Sequence, residues 1–330
     1  MVKRRVLVTG ATGGLGRILA PMLHAQGRDV VATGRNAAIG QELTNAGLSF
    51  EPADLARADL TGLCGGVETV FHLAALSSPW GRHQDFVDAN VVATERLLKA
   101  AKDAGCQRFI FASTPSIYTR AVDQFGLTEK SPLPSSFANS YAATKYQAEQ
   151  MVLAAAEDGF ATVALRPRAI ISPYDTALLP RLLQAGNKGV LPLPRGGKAL
   201  IEPTDARDTA EAFMAAEAQA ENVSGQAFNI SGGTPIPLAD LARHVFARLD
   251  KPLKVVAIPG MFAIGAARMM EWAARLTPSR KEPRLTRYSA MVLGWSQTFD
   301  LTAAHEKLNW RARFSPLEAV DWALAEMRSA

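Results

Sequence analysis

The run Thr9-Gly10-Ala11-Thr12-Gly13-Gly14-Leu15-Gly16 constrains this chain more than any other feature. It follows a short apolar stretch, Val6-Leu7-Val8, and opens a helical pattern, so Gly10, Gly13 and Gly16 fall at G-x-x-G-x-x-G spacing between a strand and a helix. A tight turn there needs a residue without a Cβ, and so does a backbone that must approach a pyrophosphate closely. The helix start then turns free N–H groups and a positive dipole end toward the phosphates. A glycine-rich turn alone is weak evidence, but its place directly after the first strand indicates a dinucleotide site, with Gly10, Thr12, Gly13, Gly14, Leu15 and Gly16 as candidate contacts. Pro21 falls inside the helix expected to run to Gly27, so that helix must kink or lose a hydrogen bond.

Short β-branched runs then alternate with helical patterns, which indicates βαβ units and a doubly wound parallel α/β sheet. Candidate strands are 5–8, 29–32, 68–72, 108–112 and 162–166, with a further strand presumed before Asp54. Within 85–104, Phe86, Ala89, Val92, Ala93, Leu97 and Ala100 recur at helical spacing, and Gly105 ends the helix. After Arg166-Pro167 the texture changes: Pro173, Pro180, Pro192, Pro194 and Pro203 break the chain into loops and short elements. A helix at 208–220 and a strand at 226–230 can return to the main sheet. The expected division is a Rossmann domain, 1–170 plus about 204–231, interleaved with a smaller C-terminal substrate domain, 171–203 and 232–330.

At the end of the second strand, where an acid would bind the ribose 2′-hydroxyl of NAD, the sequence reads Ala32-Thr33-Gly34-Arg35-Asn36. Arg35 can instead take a 2′-phosphate, which favours NADP over NAD; a solvated loop arginine is the plain alternative. Asp54-Leu55 follows the presumed third strand, where the carboxylate can accept from an adenine amino group or simply close a loop.

Of the five tyrosines, only Tyr141 has a lysine four residues on, in Tyr141-Ala142-Ala143-Thr144-Lys145, which puts both on one helix face. A neighbouring ammonium favours the phenolate, so Tyr141 is the candidate general acid/base. A hydroxyl at the end of the fourth of these strands, Thr114 or Ser113, is placed to hydrogen-bond a carbonyl or alkoxide oxygen.

A glycine loop, a strand-end hydroxyl and Tyr-x-x-x-Lys, in this order, resemble the extended short-chain dehydrogenase/reductase family over nearly the whole chain. The resemblance implies hydride transfer to or from NAD(P), with Tyr141 as proton donor, Lys145 holding the nicotinamide ribose and Thr114 stabilising developing charge. It also implies cofactor contacts from Leu73, Ala74 and Ala75 after His72, from Asn90, from Ser113, and from Arg166 and Pro167, besides Tyr141 and Lys145 themselves. Ser78-Pro79-Trp80-Gly81, Leu193-Pro194-Arg195-Gly196-Gly197 and Glu282-Pro283-Arg284-Leu285-Thr286-Arg287-Tyr288 resemble the 3β-hydroxysteroid dehydrogenase and 2-alkyl-3-oxoalkanoate reductase branch more than the sugar epimerases. The expected substrate is a small apolar ketone or secondary alcohol, steroid-like or β-oxoacyl. A homodimer through the helices at 85–104 and 140–156 is a further implication of the resemblance.

Bulk properties narrow the remaining classes. Over 330 residues, apolar residues make up 48% and charged residues 20%, ordinary globular usage. The net charge of +5 is scattered rather than gathered into a basic stripe, so no nucleic-acid partner is expected. Cys64 and Cys106 show neither metal-ligand nor disulfide spacing, and the five histidines form no ligand pattern, so no metal is expected. Lys3, Arg4 and Arg5 before an apolar stretch imitate a secretory signal, but the glycines interrupt its core, and no apolar run is long enough for an integral membrane segment. A cytoplasmic protein is expected. Trp80, Phe137, Leu178, Leu179, Leu182, Leu183 and 258–276 are candidate pocket walls, with core packing the alternative; 258–276, rich in Met, Phe and Trp, is read as core or pocket lid rather than a membrane-touching helix. Rival functions are a nucleotide-sugar epimerase or dehydratase with tightly bound NAD, against which Arg35 weighs, and a non-enzymatic NADP sensor, against which Tyr141 and Lys145 weigh.

Overall fold

In the computed structural model, which describes residues 4–277 and 281–329, strands apolar on both faces form the centre. Val6 and Val8 of β1 (Arg5–Thr9) pack on one side of the sheet and Leu7 on the other, as a strand covered by helices on both faces requires. The chain continues through α1 (Gly16–Ala25), β2 (Asp29–Gly34), α2 (Ala37–Asn45), β3 (Ser49–Pro52) and β4 (Thr69–His72). It then passes through α3 (Ala93–Asp103), β5 (Arg108–Ala112), α4 (Ser140–Ala154), β6 (Ala161–Pro167), α5 (Ala206–Ala218) and β7 (Gln226–Ile230). These seven strands pair in parallel in the order β7-β6-β5-β4-β1-β2-β3. The order reverses between β1 and β4, so the crevice beyond their C-terminal ends is the binding position of this architecture.

Helices α1 and α5 cover one face, through Leu19, Leu23 and Phe213; α3 and α4 cover the other, through Leu97, Ala148 and Val152. α5 and β7 come late in the sequence yet return to the sheet, β7 pairing with β6 from Gln226↔Val163 to Ile230↔Pro167. A third apolar cluster gathers Ile171, Leu179, Leu182, Leu191 and Leu193 with α6 (Leu238–Arg248) and the final helix Pro316–Ser329. Leu179 and Leu182 are buried in this cluster with Leu178 and Leu183 packed on it, and Phe137 leans on Tyr146 at 5.2 Å, so these pocket candidates are packing residues.

Pro21 behaves as the sequence reading requires, and two other local features differ from it. α1 runs through Pro21 unbroken, giving up the one hydrogen bond that proline cannot donate, and Gly27 with φ +81° turns the chain after it. The single helix expected over 85–104 is three pieces: His83–Phe86, a π-helical stretch Val87–Val92, and α3. The widened turn carries Asn90 inward, where it is buried.

The second correction concerns helix α7 (Gly260–Leu276), read as core or lid. Met261, Phe262, Met269, Trp272 and Leu276 are each about two-thirds or more exposed, while Ala263, Ala267 and Glu271 face inward. The buried carboxylate is held by Arg287, at the start of α8 (Arg287–Gly294), through its backbone N–H at 2.7 Å and its side chain at 2.9 Å. No helix among the described residues is long and apolar enough to cross a membrane.

Candidate active site

The glycine loop is built by close approach. A Cβ on Gly10, which has φ +66°, would lie 2.7 Å from the Ala74 nitrogen, and one on Gly16 would lie 2.3 Å from the Gly10 carbonyl oxygen. Gly13 closes the turn by donating to Gly10 O at 2.9 Å. α1 has no side-chain cap and no acid in its first turn, so its N–H groups and dipole are left for a phosphate. Thr12 packs under Gly34, where an added Cβ would meet its Oγ1 at 2.6 Å. Two residues outside the glycine motif brace this loop: Ser172 donates to Gly14 O at 3.2 Å, and the Arg17 guanidinium stacks 3.7 Å from the Tyr174 ring centroid. Neither signal is local, since both partners lie more than 150 residues away.

Arg35 is exposed just beyond β2 and carries no ion pair among the described residues. Asn36 beside it caps α2 through Ala38 N and Ile39 N. Asp54 caps its own loop by accepting from Ala56 N, while Leu55 is buried. Leu73, Ala74 and Ala75 follow β4 directly, and Leu73 N and Ala74 N donate to Thr9 O and Thr9 Oγ1, each at 3.3 Å. The His72 ring is fully buried between Thr9 Oγ1 at 2.7 Å and Thr94 Oγ1 at 2.9 Å. Thr94 donates to Asn90 O and Thr9 accepts from Ala74 N, which leaves Nε2 as the protonated ring nitrogen. Burial, reinforced by the Lys145 charge, holds its pKa down at about 3, so the ring is neutral.

Asn90 and Arg166 sit near the expected crevice but are committed to other partners. Asn90 Oδ1 accepts from Leu76 N at 2.7 Å, and its Nδ2 donates to Thr144 Oγ1 at 3.0 Å, tying the loop after β4 to α4. The Arg166 guanidinium is buried against Glu149 and Tyr118, so its side chain is not offered to a dinucleotide, and only the strand-end backbone with Pro167 remains for that purpose. Ser113 donates to Glu149 at 2.5 Å and belongs to the same buried network.

Thr114 is therefore the strand-end hydroxyl that reaches Tyr141. Asn139 caps α4 by accepting from Ala142 N at 2.9 Å, which fixes the first turn and Tyr141 in it. The Tyr141 hydroxyl faces the hydroxyls of Thr114 and Ser77, both of which favour its ionised form. Burial is the dominant influence and pushes its pKa up, so the sequence expectation of an ammonium-lowered tyrosine does not describe the ligand-free site. Lys145, one turn along, is buried with its Nζ 3.9 Å from the Phe111 ring centroid. Burial lowers its pKa to about 7, although Glu149 pulls the other way. Thr114 also donates to Ser116 at 3.0 Å, and Ser116 meets the Tyr288 hydroxyl at 2.7 Å. Thr114, Ser116 and Tyr288 thus form a hydrogen-bonded chain to α8, with the Tyr141 hydroxyl beside its Thr114 end. Ser116 and Tyr288 carry no spacing signal in the sequence because 172 residues separate them.

Residues 6–231 match the NAD dependent epimerase/dehydratase family. The chain belongs to that family. It is 33% identical over 332 residues to an uncharacterized protein, YbjS, of Escherichia coli, covering 98% of each chain. It is 36% identical over 298 residues to the 2-alkyl-3-oxoalkanoate reductase of Stenotrophomonas maltophilia, covering 88% of this chain and 89% of that one. Among solved structures, the UDP-glucuronic acid 4-epimerase of Bacillus cereus, in complex with UDP-glucuronic acid and NAD, aligns at a TM-score of 0.78. That alignment covers 98% of this chain and 99% of the other, and at 20% identity it speaks for the fold. This family member is an NAD(P)-dependent oxidoreductase of the extended short-chain type. Among the described residues no three His, Cys, Asp or Glu gather as a metal site.

Proposed function

We propose that this enzyme reduces a ketone on an apolar substrate, a β-oxoacyl or steroid-like compound, with NADPH as the preferred donor. The observation that carries the reading is the Tyr141 hydroxyl facing that of Thr114, with the buried Lys145 amine one turn away against Phe111. The likeness to a 2-alkyl-3-oxoalkanoate reductase supports the substrate class. The exposed, unpartnered Arg35 after β2 supports NADP.

The glycine loop and α1 hold the pyrophosphate, Arg35 the 2′-phosphate and Lys145 the nicotinamide ribose. The bound dinucleotide supplies the hydride. As the carbonyl π electrons move onto oxygen, Tyr141 gives that oxygen its proton while Thr114, its O–H turned from Ser116, donates a hydrogen bond to it. Ser116 and Tyr288 extend this hydroxyl chain, a path by which a proton can return to Tyr141.

Fluorescence titration with NADPH and NADH, followed by turnover of apolar ketones and nucleotide sugars by wild type and Tyr141→Phe, tests the reading. Tighter NADPH binding and Tyr141-dependent ketone reduction are expected. Retained NAD with turnover of a nucleotide sugar would overturn it.

A further inference from the structure

Helix α7 presents its large apolar side chains to solvent and its small ones to the protein. Ala263 and Ala267 face inward with Glu271, while Met261, Phe262, Met269, Met270, Trp272 and Leu276 are exposed. A helix that only covers a core does the reverse, because large apolar side chains gain most by leaving water. Six of the eleven large apolar side chains exposed among the described residues stand on this one helix. Val256, exposed as well, lies on the strand Lys254–Ile258 that leads into it. Single exposed apolar residues need no explanation, but a gathered face of this kind marks a contact surface.

The charges on this face have one sign. Arg268 and Arg275 are exposed among the apolar residues, and Lys281 and Arg284 are exposed just beyond the helix. Between 260 and 287 the sequence has two acids, and both are committed: Glu271 to Arg287 at 2.9 Å, and Glu282 to Arg181 at 3.0 Å. An apolar stripe with aromatic residues and unanswered arginines is the pattern of a helix that lies in a lipid interface.

α7 is also fastened to two elements that bear on the Tyr141 site. Its Arg275 guanidinium lies 5.6 Å from the ring centroid of Trp80, three residues after Ser77, which faces the Tyr141 hydroxyl. Arg287, which holds Glu271, is followed directly by Tyr288, which is bonded to Ser116.

We propose that the outward face of α7 docks on a membrane surface that carries anionic lipid, with Phe262, Met269, Trp272 and Leu276 among the head groups and upper chains and Arg268 and Arg275 on the lipid phosphates. The stripe from Met261 to Leu276 is about 22 Å long at 1.5 Å per residue, shorter than a hydrocarbon core of about 30 Å, so the helix lies along the surface. A second copy of the chain fits this face less well. Two such faces can associate loosely without lipid at high concentration, but a stable two-fold pairing would set Arg268 and Arg275 near their own images with no free acid to answer them. Docked in this way, the protein can take an apolar substrate from the lipid phase. That consequence rests on the ketoreductase reading; the docking does not.

The test sediments the NADP-loaded protein with vesicles of phosphatidylcholine, with and without phosphatidylglycerol. Binding to the anionic vesicles is expected to be tighter by on the order of 10-fold, as two unpaired arginines supply, and to weaken as salt is raised. Tryptophan emission should shift to the blue on binding, and Trp272→Phe should remove the shift. Phe262→Glu with Trp272→Glu should lose about 10-fold or more in affinity at an unchanged unfolding midpoint. Arg268→Gln with Arg275→Gln should bind both vesicles alike. Failure of the wild type to sediment with either vesicle, or equal binding by the double glutamate variant, would overturn the proposal. A defined dimer at low concentration, with Trp272 already shielded before lipid is added, would overturn it in favour of a second copy. Should the double glutamate variant not fold, the salt dependence and the Trp272 emission of the wild type decide the matter. Vesicle binding without reduction of any apolar ketone would sink the ketoreductase reading and leave the docking standing. Reduction of dissolved ketones by a protein that ignores vesicles would do the reverse.

Discussion

Arg166 and Glu149 form a two-pronged ion pair beneath the catalytic helix, Nη2 to Oε1 at 2.6 Å and Nε to Oε2 at 2.8 Å, with both side chains almost wholly buried. Ser113 donates to the same carboxylate. The pair clamps α4 to the ends of β5 and β6, and so sets the distance between Tyr141 and Thr114. Removing one partner strands a charge: Glu149→Ala is expected to cost about 3–5 kcal/mol, read from urea unfolding. Replacing both, as Glu149→Gln with Arg166→Met, should cost less than that single change. A single-variant loss below about 1 kcal/mol would show that the pair does not hold the helix.

Lys145 gives a second prediction, in pH. Its folded pKa is about 7 against 10.5 in an unfolded chain, so between those values the unfolded state binds more protons. Stability contributed through this residue therefore rises as pH climbs from about 7 to 10.5, by up to about 1.4 kcal/mol per pH unit. Wild type should gain on Lys145→Met between pH 7 and 9.5 in urea midpoints. Parallel curves for the two proteins would refute the buried, depressed ammonium.

His72 acts in the acid range by the same reasoning. The ring stays neutral in the fold down to about pH 3, while an unfolded chain protonates near 6.5. The folded state therefore loses stability as pH falls from 6.5 toward 3. His72→Asn, whatever its cost at pH 7.5, should flatten the decline between pH 6.5 and 4. An unchanged slope would mean that other groups govern the acid limb.

What could be read from the sequence was local. Gly16 announces itself because a Cβ there would meet the Gly10–Ala11 turn, Gly10 because its φ of +66° suits a residue without a Cβ, and Tyr141 and Lys145 because one helical turn relates them. The strand pattern was equally legible, since Val6, Leu7 and Val8 need apolar cover on both faces. What stayed hidden depends on distant partners: Tyr174 over Arg17, Tyr288 on Ser116, and Arg166 on Glu149, which withdraws the Arg166 side chain from the dinucleotide site. Asn90 carried no sign that its turn would widen. In α7 the apolar periodicity was real but its direction was not given, because periodicity states that a face exists and leaves open which side finds a partner.

That outward face of α7 supports a last prediction. Met261, Phe262, Met269, Trp272 and Leu276 form a stripe open to solvent, while the helix is held down from behind by Ala263, Ala267, and Glu271 on Arg287. A contiguous apolar surface of this kind favours self-association. Phe262→Glu combined with Trp272→Glu should lower light scattering at high protein concentration and leave the unfolding midpoint within about 0.5 kcal/mol of wild type, as surface substitutions do. Ketone turnover at low concentration should be unchanged, because neither ring contacts the hydroxyl chain. A large loss of stability would instead mean that the stripe is packed in solution and that α7 closes inward, as its sequence first implied.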